Sequence, residues 1–362
     1  MLLDLALFFA AAMAFTYLGY PALAFLLSRL AARAVKKGPF FPSLSVILPV
    51  HNEAGSLRAK IDNLLSQDYP PDRLEIIVVD DGSTDGAVEE LPTEHAAAVT
   101  FLMRLGRCGK ASALKAGAAA ARGDVLVFTD ARQQVAAGSF RALAANFADA
   151  SVTGVTGRLE SAGGGAERLF RRYEEALRRW EAAWASPAGA AGALYAVRPE
   201  CVAELPVDTI LDDLVISLSA ASKGRLAYEP EAVAFERPES AERTWSRRVR
   251  TLAGNWQIVF HPFKFAAIFS AHTAVPIVCH KLMRLLFPFF AAGLVLCVTA
   301  LLPATVVVPA AAGGALAFIW ALRRRRAGSA APRHILWSLL IAPLGALVAY
   351  IRGRETVLWA KR

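Results

Sequence analysis

The chain has 362 residues, 55% of them hydrophobic, which is more apolar than a single water-soluble domain requires and places part of it in lipid. Its net charge of +9 does not signal nucleic acid: from Lys281 onward eleven Lys and Arg face one acid, Glu355, while the first 280 residues carry 29 basic against 30 acidic side chains. With no aromatic-basic motif to read bases, the sequence excludes a nucleic-acid partner and assigns the basic excess to membrane lipids.

Taken in chain order, Leu5 to Leu27 is free of charge and long enough to cross roughly 30 Å of hydrocarbon. No basic residue precedes it and its apolar part is too long for a cleaved signal peptide. Arg29, Arg33, Lys36 and Lys37 follow, so the positive-inside rule puts the next region in the cytoplasm. Ser43 to Val50 reads as a buried strand ending in His51-Asn52-Glu53, and Ala54 to Ser66 as a helix. Leu74 to Val79 is a strand buried on both faces of a parallel sheet, and two carboxylates, Asp80 and Asp81, stand at its carboxyl end in Asp-Asp-Gly-Ser-Thr-Asp-Gly. Lys110 to Ala121 is an Ala-rich helix with a lysine in its first turn. A third buried strand, Asp124 to Thr129, ends in Asp130-Ala131-Arg132-Gln133.

Gly163-Gly164-Gly165 is a flexible loop that follows no strand with GxGxxG spacing, so dinucleotide oxidoreduction finds little support. Glu167 to Trp184 is a helix whose Leu169, Tyr173, Leu177, Trp180 and Trp184 form one apolar stripe for core or membrane-facing packing. Asp212-Asp213 opens an apolar helix, where acids suit the helix dipole whatever the function. Thr244 to Gln257 combines Arg247, Arg248 and Arg250 with Trp245 and Trp256 and suits either phosphate oxygens or a bilayer interface. Leu282 to Leu302 and Ala304 to Leu322 read as two spans, with Arg323 to Arg326 returning the chain to the cytoplasm. Ile335 to Ile351, interrupted by Pro343, either crosses or forms a re-entrant or interfacial helix; crossing would put Arg352, Arg354, Lys361 and Arg362 outside, against the charge rule. Cys108, Cys201, Cys279 and Cys297 show no paired or metal spacing, and His261, His272 and His280 read as structural.

The alternation of strand and helix between Ser43 and Phe260 describes one α/β domain. The order Pro-Val-His-Asn-Glu, Val-Val-Asp-Asp-Gly-Ser-Thr-Asp-Gly, Gly-Lys-Ala-Ser-Ala-Leu-Lys-Ala-Gly and Phe-Thr-Asp-Ala-Arg, each at a strand end or helix start, resembles family 2 glycosyltransferases. The resemblance implies a GT-A nucleotide-sugar fold with a mixed, mainly parallel sheet plus transmembrane helices. It divides the chain into an N-terminal transmembrane helix and basic flank (1–37), a cytoplasmic catalytic domain (38–240), amphipathic interfacial helices (241–280), and two or three C-terminal transmembrane helices with a basic tail (281–362).

By the same resemblance Pro49, His51, Asn52, Glu53, Asp80 and Asp81 line the nucleoside pocket, with Lys110 near it. The third strand end of this family usually carries Asp-x-Asp, whose carboxylates hold ribose and a divalent cation on the diphosphate. Here Asp130 is present but Arg132 stands in place of the second acid. Either Asp130 keeps Mg²⁺ or Mn²⁺ with help from water and phosphate, the reading favoured here, or Arg132 itself supplies positive charge. Asp213 aligns with the catalytic aspartate that takes the acceptor proton, and Asp212, in place of the usual Glu, orients it or raises its pKa. Arg247, Arg248, Arg250 and Trp245 match, loosely, a basic region that meets diphosphate or acceptor. The implied activity is inverting transfer of a sugar from a UDP- or GDP-linked donor to a glycan or lipid-linked acceptor, in polysaccharide or glycolipid synthesis at the inner membrane. Charging of a polyprenyl phosphate with one sugar, and an inactive scaffold that keeps the fold, are the alternatives.

Overall fold

The computed structural model describes residues 1–87, 99–102, 106–161, 165–202, 205–236, 240–303, 305–306 and 335–353. Among these, eight strands form one mixed sheet: β1 (Leu44–Val50), β2 (Leu74–Asp80), β3 (Val99–Leu102), β4 (Val125–Thr129), β5 (Gln134–Val135), β6 (Val152–Ser161), β7 (Leu194–Val197) and β8 (Arg225–Glu236). Their order is β3-β2-β1-β4-β7-β6-β8-β5. The helices are α1 (Leu2–Leu30), α2 (Ala54–Leu65), α3 (Lys110–Ala120), α4 (Ser139–Ala145), α5 (Gly165–Trp184), α6 (Asp212–Lys223), α7 (Ala241–Phe260), α8 (Ala274–Leu301) and α9 (Ile335–Ile351).

The three strands expected from unbroken apolar runs are parallel neighbours, Val50 opposite Asp80 and Ile47 opposite Phe128. Such runs arise because both faces are covered. Val46, Leu48, Ile76 and Val127 pack with Leu57, Ile61 and Leu64 of α2 and Phe140 of α4. On the other face Ile47, Leu126 and Phe128 pack with Leu114 of α3 and Leu214 and Val215 of α6. The parallel register sends His51 to Glu53, Asp80 with Asp81, and Asp130 out at one edge. Because β7 runs antiparallel to β4, with Leu194 opposite Thr129, the segment entering β7 arrives at that same edge.

α1 and α8, of 29 and 28 residues, are long and apolar enough to cross a membrane. They lie side by side, with the Tyr17 and Phe287 rings 5.0 Å apart. The stripe expected on α5 packs against α1: Leu177 is buried with Tyr20 and Ala24, and Trp180 meets the Phe25 ring at 5.3 Å, while Leu169 at the helix start is exposed. A buried polar knot joins the three helices. Tyr20 donates to Glu181 (2.8 Å), and His280 lies 2.8 Å from Glu181 and 3.2 Å from Glu174, which also pairs with Arg284. Charges buried at such a junction are tolerable only when mutually paired, as these are.

α8 begins at Ala274, ahead of the Leu282 expected, so His280 and Lys281 lie inside the apolar helix and not before it. α9 rests on α7: the Trp256 indole donates to the Pro343 carbonyl at 3.0 Å, and Phe260 stacks on Tyr350 at 5.7 Å. All of the expected span Ala304 to Leu322 except residues 305 and 306, the arginines 323–326, Gly163 and Gly164, and the tail from Arg354 lie outside the described residues.

Candidate active site

At the shared edge, backbone amides consume the two adjacent acids of β2. Asp80 accepts from the Ser83 amide at 2.9 Å. Asp81, fully buried, accepts from the amides of Cys108 and Gly109 at 2.6 and 2.8 Å. Asn52, in the left-handed region at φ 55°, accepts from the Thr84 amide at 2.8 Å, and its own amide donates to Ser83 Oγ at 3.0 Å. His51 Nδ1 meets the Asp81 carbonyl at 2.9 Å. Pro49 sits within β1 opposite Val79. The predicted nucleoside-pocket residues are thus brought together, with Asp80 and Asp81 fixing the walls through backbone.

One residue beyond Gly109, the Lys110 ammonium reaches Asp130 at 2.9 Å and Asp212 at 3.3 Å. Burial would lower its pKa, but Asp130, Asp212 and Asp213 together hold it above the usual lysine value. The Lys110 side chain therefore faces the acids at the β4 end and the α6 start, one residue from the amide that Asp81 holds. Arg132 turns outward to Glu53, pairing at 2.8 Å, so the cation in the second-acid position cross-links the β1 and β4 ends.

Asp213 accepts from the Leu214 amide at 2.8 Å. Burial, then the like charge of Asp212, pushes its carboxyl up to about 6, against the pull of Lys110. Gly192, entering β7, leaves the room this carboxylate occupies: a Cβ there would lie 3.1 Å from Asp213 Cγ and closer still to an oxygen. Behind it Tyr195 stacks on Phe128 at 4.9 Å, its buried phenol without a hydrogen-bond partner among the described residues and held neutral by burial and the three aspartates.

Residues 45–192 match Glycosyl transferase family 2. The segment from β1 to just before β7 is therefore similar to that family. The chain is 28% identical over 249 residues to the "Probable glycosyltransferase YdaM" of Bacillus subtilis, covering 63% of this chain and 58% of that one. It is 36% identical over 102 residues to the undecaprenyl-phosphate 4-deoxy-4-formamido-L-arabinose transferase of Aeromonas hydrophila, covering 25% and 29%. The chain thus spans less than two thirds of either relative. Its fold matches the mannosyltransferase PcManGT of Pyrobaculum calidifontis, solved with GDP-Man and Mn²⁺, at TM-score 0.75 and 25% identity over 98% of this chain and all of that one.

Two residues near this site carried no motif in the sequence. Lys60 is fully buried, its ammonium donating to Thr129 Oγ1 at 2.9 Å and to the Gln133 carbonyl at 2.7 Å beneath the Asp130 strand end. The signal was present, since Lys60 falls on the Leu57, Ile61, Leu64 stripe of α2. Burial lowers its pKa from 10.5 to about 7, despite Asp130. The unfolded chain therefore binds the proton more readily than the folded one between these values, and stability should rise as pH increases from 7 towards 10.5. Urea titrations across that range should show the rise, and Lys60→Met should flatten it. The second, Tyr195, sits within β7, where nothing in the sequence separates it from an ordinary core aromatic.

Arg247 pairs with both oxygens of Glu236, and Arg248 lies 5.9 Å over the Phe170 ring. These contacts tie α7 to β8 and α5. Arg250 and Trp245 are half-buried on the same helix. Trp256, buried against α9, is a packing residue.

The donor set suits a hard divalent cation in part. No three His, Cys, Asp or Glu among the described residues form a complete cage, but Asp130 and Asp212, from separate elements, converge on one positive charge, at present that of Lys110. Two carboxylates plus substrate phosphates is the usual composition of a Mg²⁺ site, and Asp130 and Asp212 would be its protein ligands.

Proposed function

We propose that the chain transfers a sugar from a nucleotide-sugar donor to an acceptor hydroxyl at a membrane surface, with inversion. The observation that carries this reading is the meeting of Asp130, Asp212 and Asp213 around Lys110, one residue from the amides that Asp81 holds. The likeness to the GDP-Man-bound mannosyltransferase supports it.

In this reading the nucleoside lies between the β1 and β2 ends, walled by His51, Asn52 and the turn that Asp80 fixes. Lys110 lies where it can balance charge developing on the leaving diphosphate oxygen. Mg²⁺ or Mn²⁺, when bound by Asp130 and Asp212, would add to that neutralisation. Asp213, its proton affinity raised towards the working pH, takes the acceptor hydroxyl proton as the oxygen attacks the anomeric carbon on the face opposite the diphosphate. Arg247, Arg248 and Arg250 lie on α7 as contacts for acceptor or headgroup phosphate. In the same reading α1 and α8 anchor the domain, and the basic residues after α1 support a cytoplasmic side of the inner membrane by the positive-inside rule.

The test is release of nucleotide and transfer of label from a panel of radiolabelled UDP- and GDP-sugars by membranes containing the chain. Product with one donor is expected; neither transfer nor slow hydrolysis from any donor would leave the scaffold reading in its place. EDTA should abolish the activity and Mn²⁺ restore it. Full activity in EDTA would leave Lys110 and Arg132 as the counter-charges and exclude the metal.

A further inference from the structure

We infer that Lys281, on the apolar helix α8, binds a phosphate of a membrane-borne acceptor and so selects lipid-linked phosphate substrates. This rests on the proposed transfer reaction and names its acceptor class. Among the described residues Lys281 makes no hydrogen bond and no ion pair, whereas the titratable neighbours on its own helix are committed, His280 to Glu181 and Glu174 and Arg284 to Glu174. Charged groups placed in an apolar helix are costly and face a polar partner or pathway.

The direction it faces is fixed by one loop. Lys281 Nζ lies 3.9 Å from the place a Cβ on Gly189 would take, at φ 127°, and three residues on Gly192 abuts the Asp213 carboxylate. The loop is pinned between them, the Ala190 amide donating to Ser217 Oγ at 2.9 Å and the Ala191 amide to Thr156 Oγ1 at 2.8 Å. The Lys281 charge is felt by Asp213. The helix is also locally a π-turn over Ile277–Leu282, an irregularity that recurs at functional sites. A cation from α8 at one end of the loop and a base at the other suit an acceptor sugar joined to a lipid through phosphate, its hydroxyl at Asp213 and its phosphate oxygen on Lys281. A bare phosphate nucleophile needs no base, since its second ionisation falls near pH 6, and three aspartates would repel it. The groups facing Lys281 from packed elements are Asp213 of α6 and Glu174, Arg178 and Glu181 of α5.

The experiment is flotation of the full-length chain with phosphatidylcholine vesicles containing polyprenyl phosphate, polyprenol or phosphatidylglycerol, with nucleotide binding measured on the same samples. The chain should prefer polyprenyl phosphate over both other lipids, and Lys281→Gln should reduce that preference by roughly tenfold, the loss of one charge-assisted hydrogen bond, while Lys281→Arg keeps it. Equal binding of phosphatidylglycerol and polyprenyl phosphate, no preference over polyprenol, or an undiminished preference in Lys281→Gln overturns the inference. If Lys281→Gln also loses nucleotide binding, Lys281→Arg decides: retained preference supports the site and lost preference overturns it. Failure of the wild-type chain to bind nucleotide would instead count against the transfer reaction itself.

Discussion

Asp213→Asn is expected to lower turnover by roughly 10²- to 10⁴-fold, the usual worth of a positioned general base, with nucleotide binding retained. In the unaltered chain, activity should fall on acidification through an apparent pKa of about 6, which belongs to the Asp212 and Asp213 pair as a unit. The sign follows from the cause: burial and the neighbouring acid favour the protonated carboxyl, and a protonated carboxyl accepts nothing. An ordinary aspartate would stay active two pH units lower. Stability moves the other way. Because the folded pKa is raised, the folded chain binds the proton more readily between 3.8 and about 6, so stability falls as pH rises through that window and stays low above it. Asp213→Asn should therefore raise the melting temperature at pH 7 and not at pH 3.5. A folded variant with near-normal turnover excludes Asp213 as the base.

Gly192→Ala should be nearly as damaging, for a different reason. The new methyl would press on the end of a side chain, 3.3 Å from Asp213 Cβ and nearer to its carboxylate. Relief comes most easily from rotation of that carboxylate, which gives up its bond to the Leu214 amide. The backbone is spared, so the protein should fold and bind nucleotide. Turnover should fall by about 10²-fold, the cost of misplacing a reacting group by an ångström. Adding Gly192→Ala to Asp213→Asn should cost little more, since both remove the same group. Independent, multiplying effects on single-turnover rates would show that Gly192 acts elsewhere.

The strands β1, β2 and β4 were legible because parallel strands covered on both faces leave continuous apolar runs, and their ends carried the acids. β6 and β8 were not, since their pairing shifts register between Val152 and Gly154 and between Thr156 and Arg158, which breaks any simple period. That Asp80, Asp81 and Asp130 would share one edge was readable from their strand ends, whereas Asp212 and Asp213, at a helix start, were placed only by the family resemblance. What each carboxylate holds was not: Asp81 spends its oxygens on amides of residues 27 and 28 positions away, a contact made only by tertiary folding. Likewise Lys110 near Asp212, and Lys281 near Gly189, join segments that no local pattern relates.

The segment Cys108-Gly109-Lys110 hangs by its amides from one acid and by its side chain from two others. On the proposed transfer reaction, donor preference and reaction rate are therefore not separate modules that can be exchanged piecemeal. A chimera that imports another enzyme's β2 end without its matching α3 start would move the lysine as it alters base recognition, and any laboratory effort to change the sugar nucleotide used has to transplant both segments as one cassette.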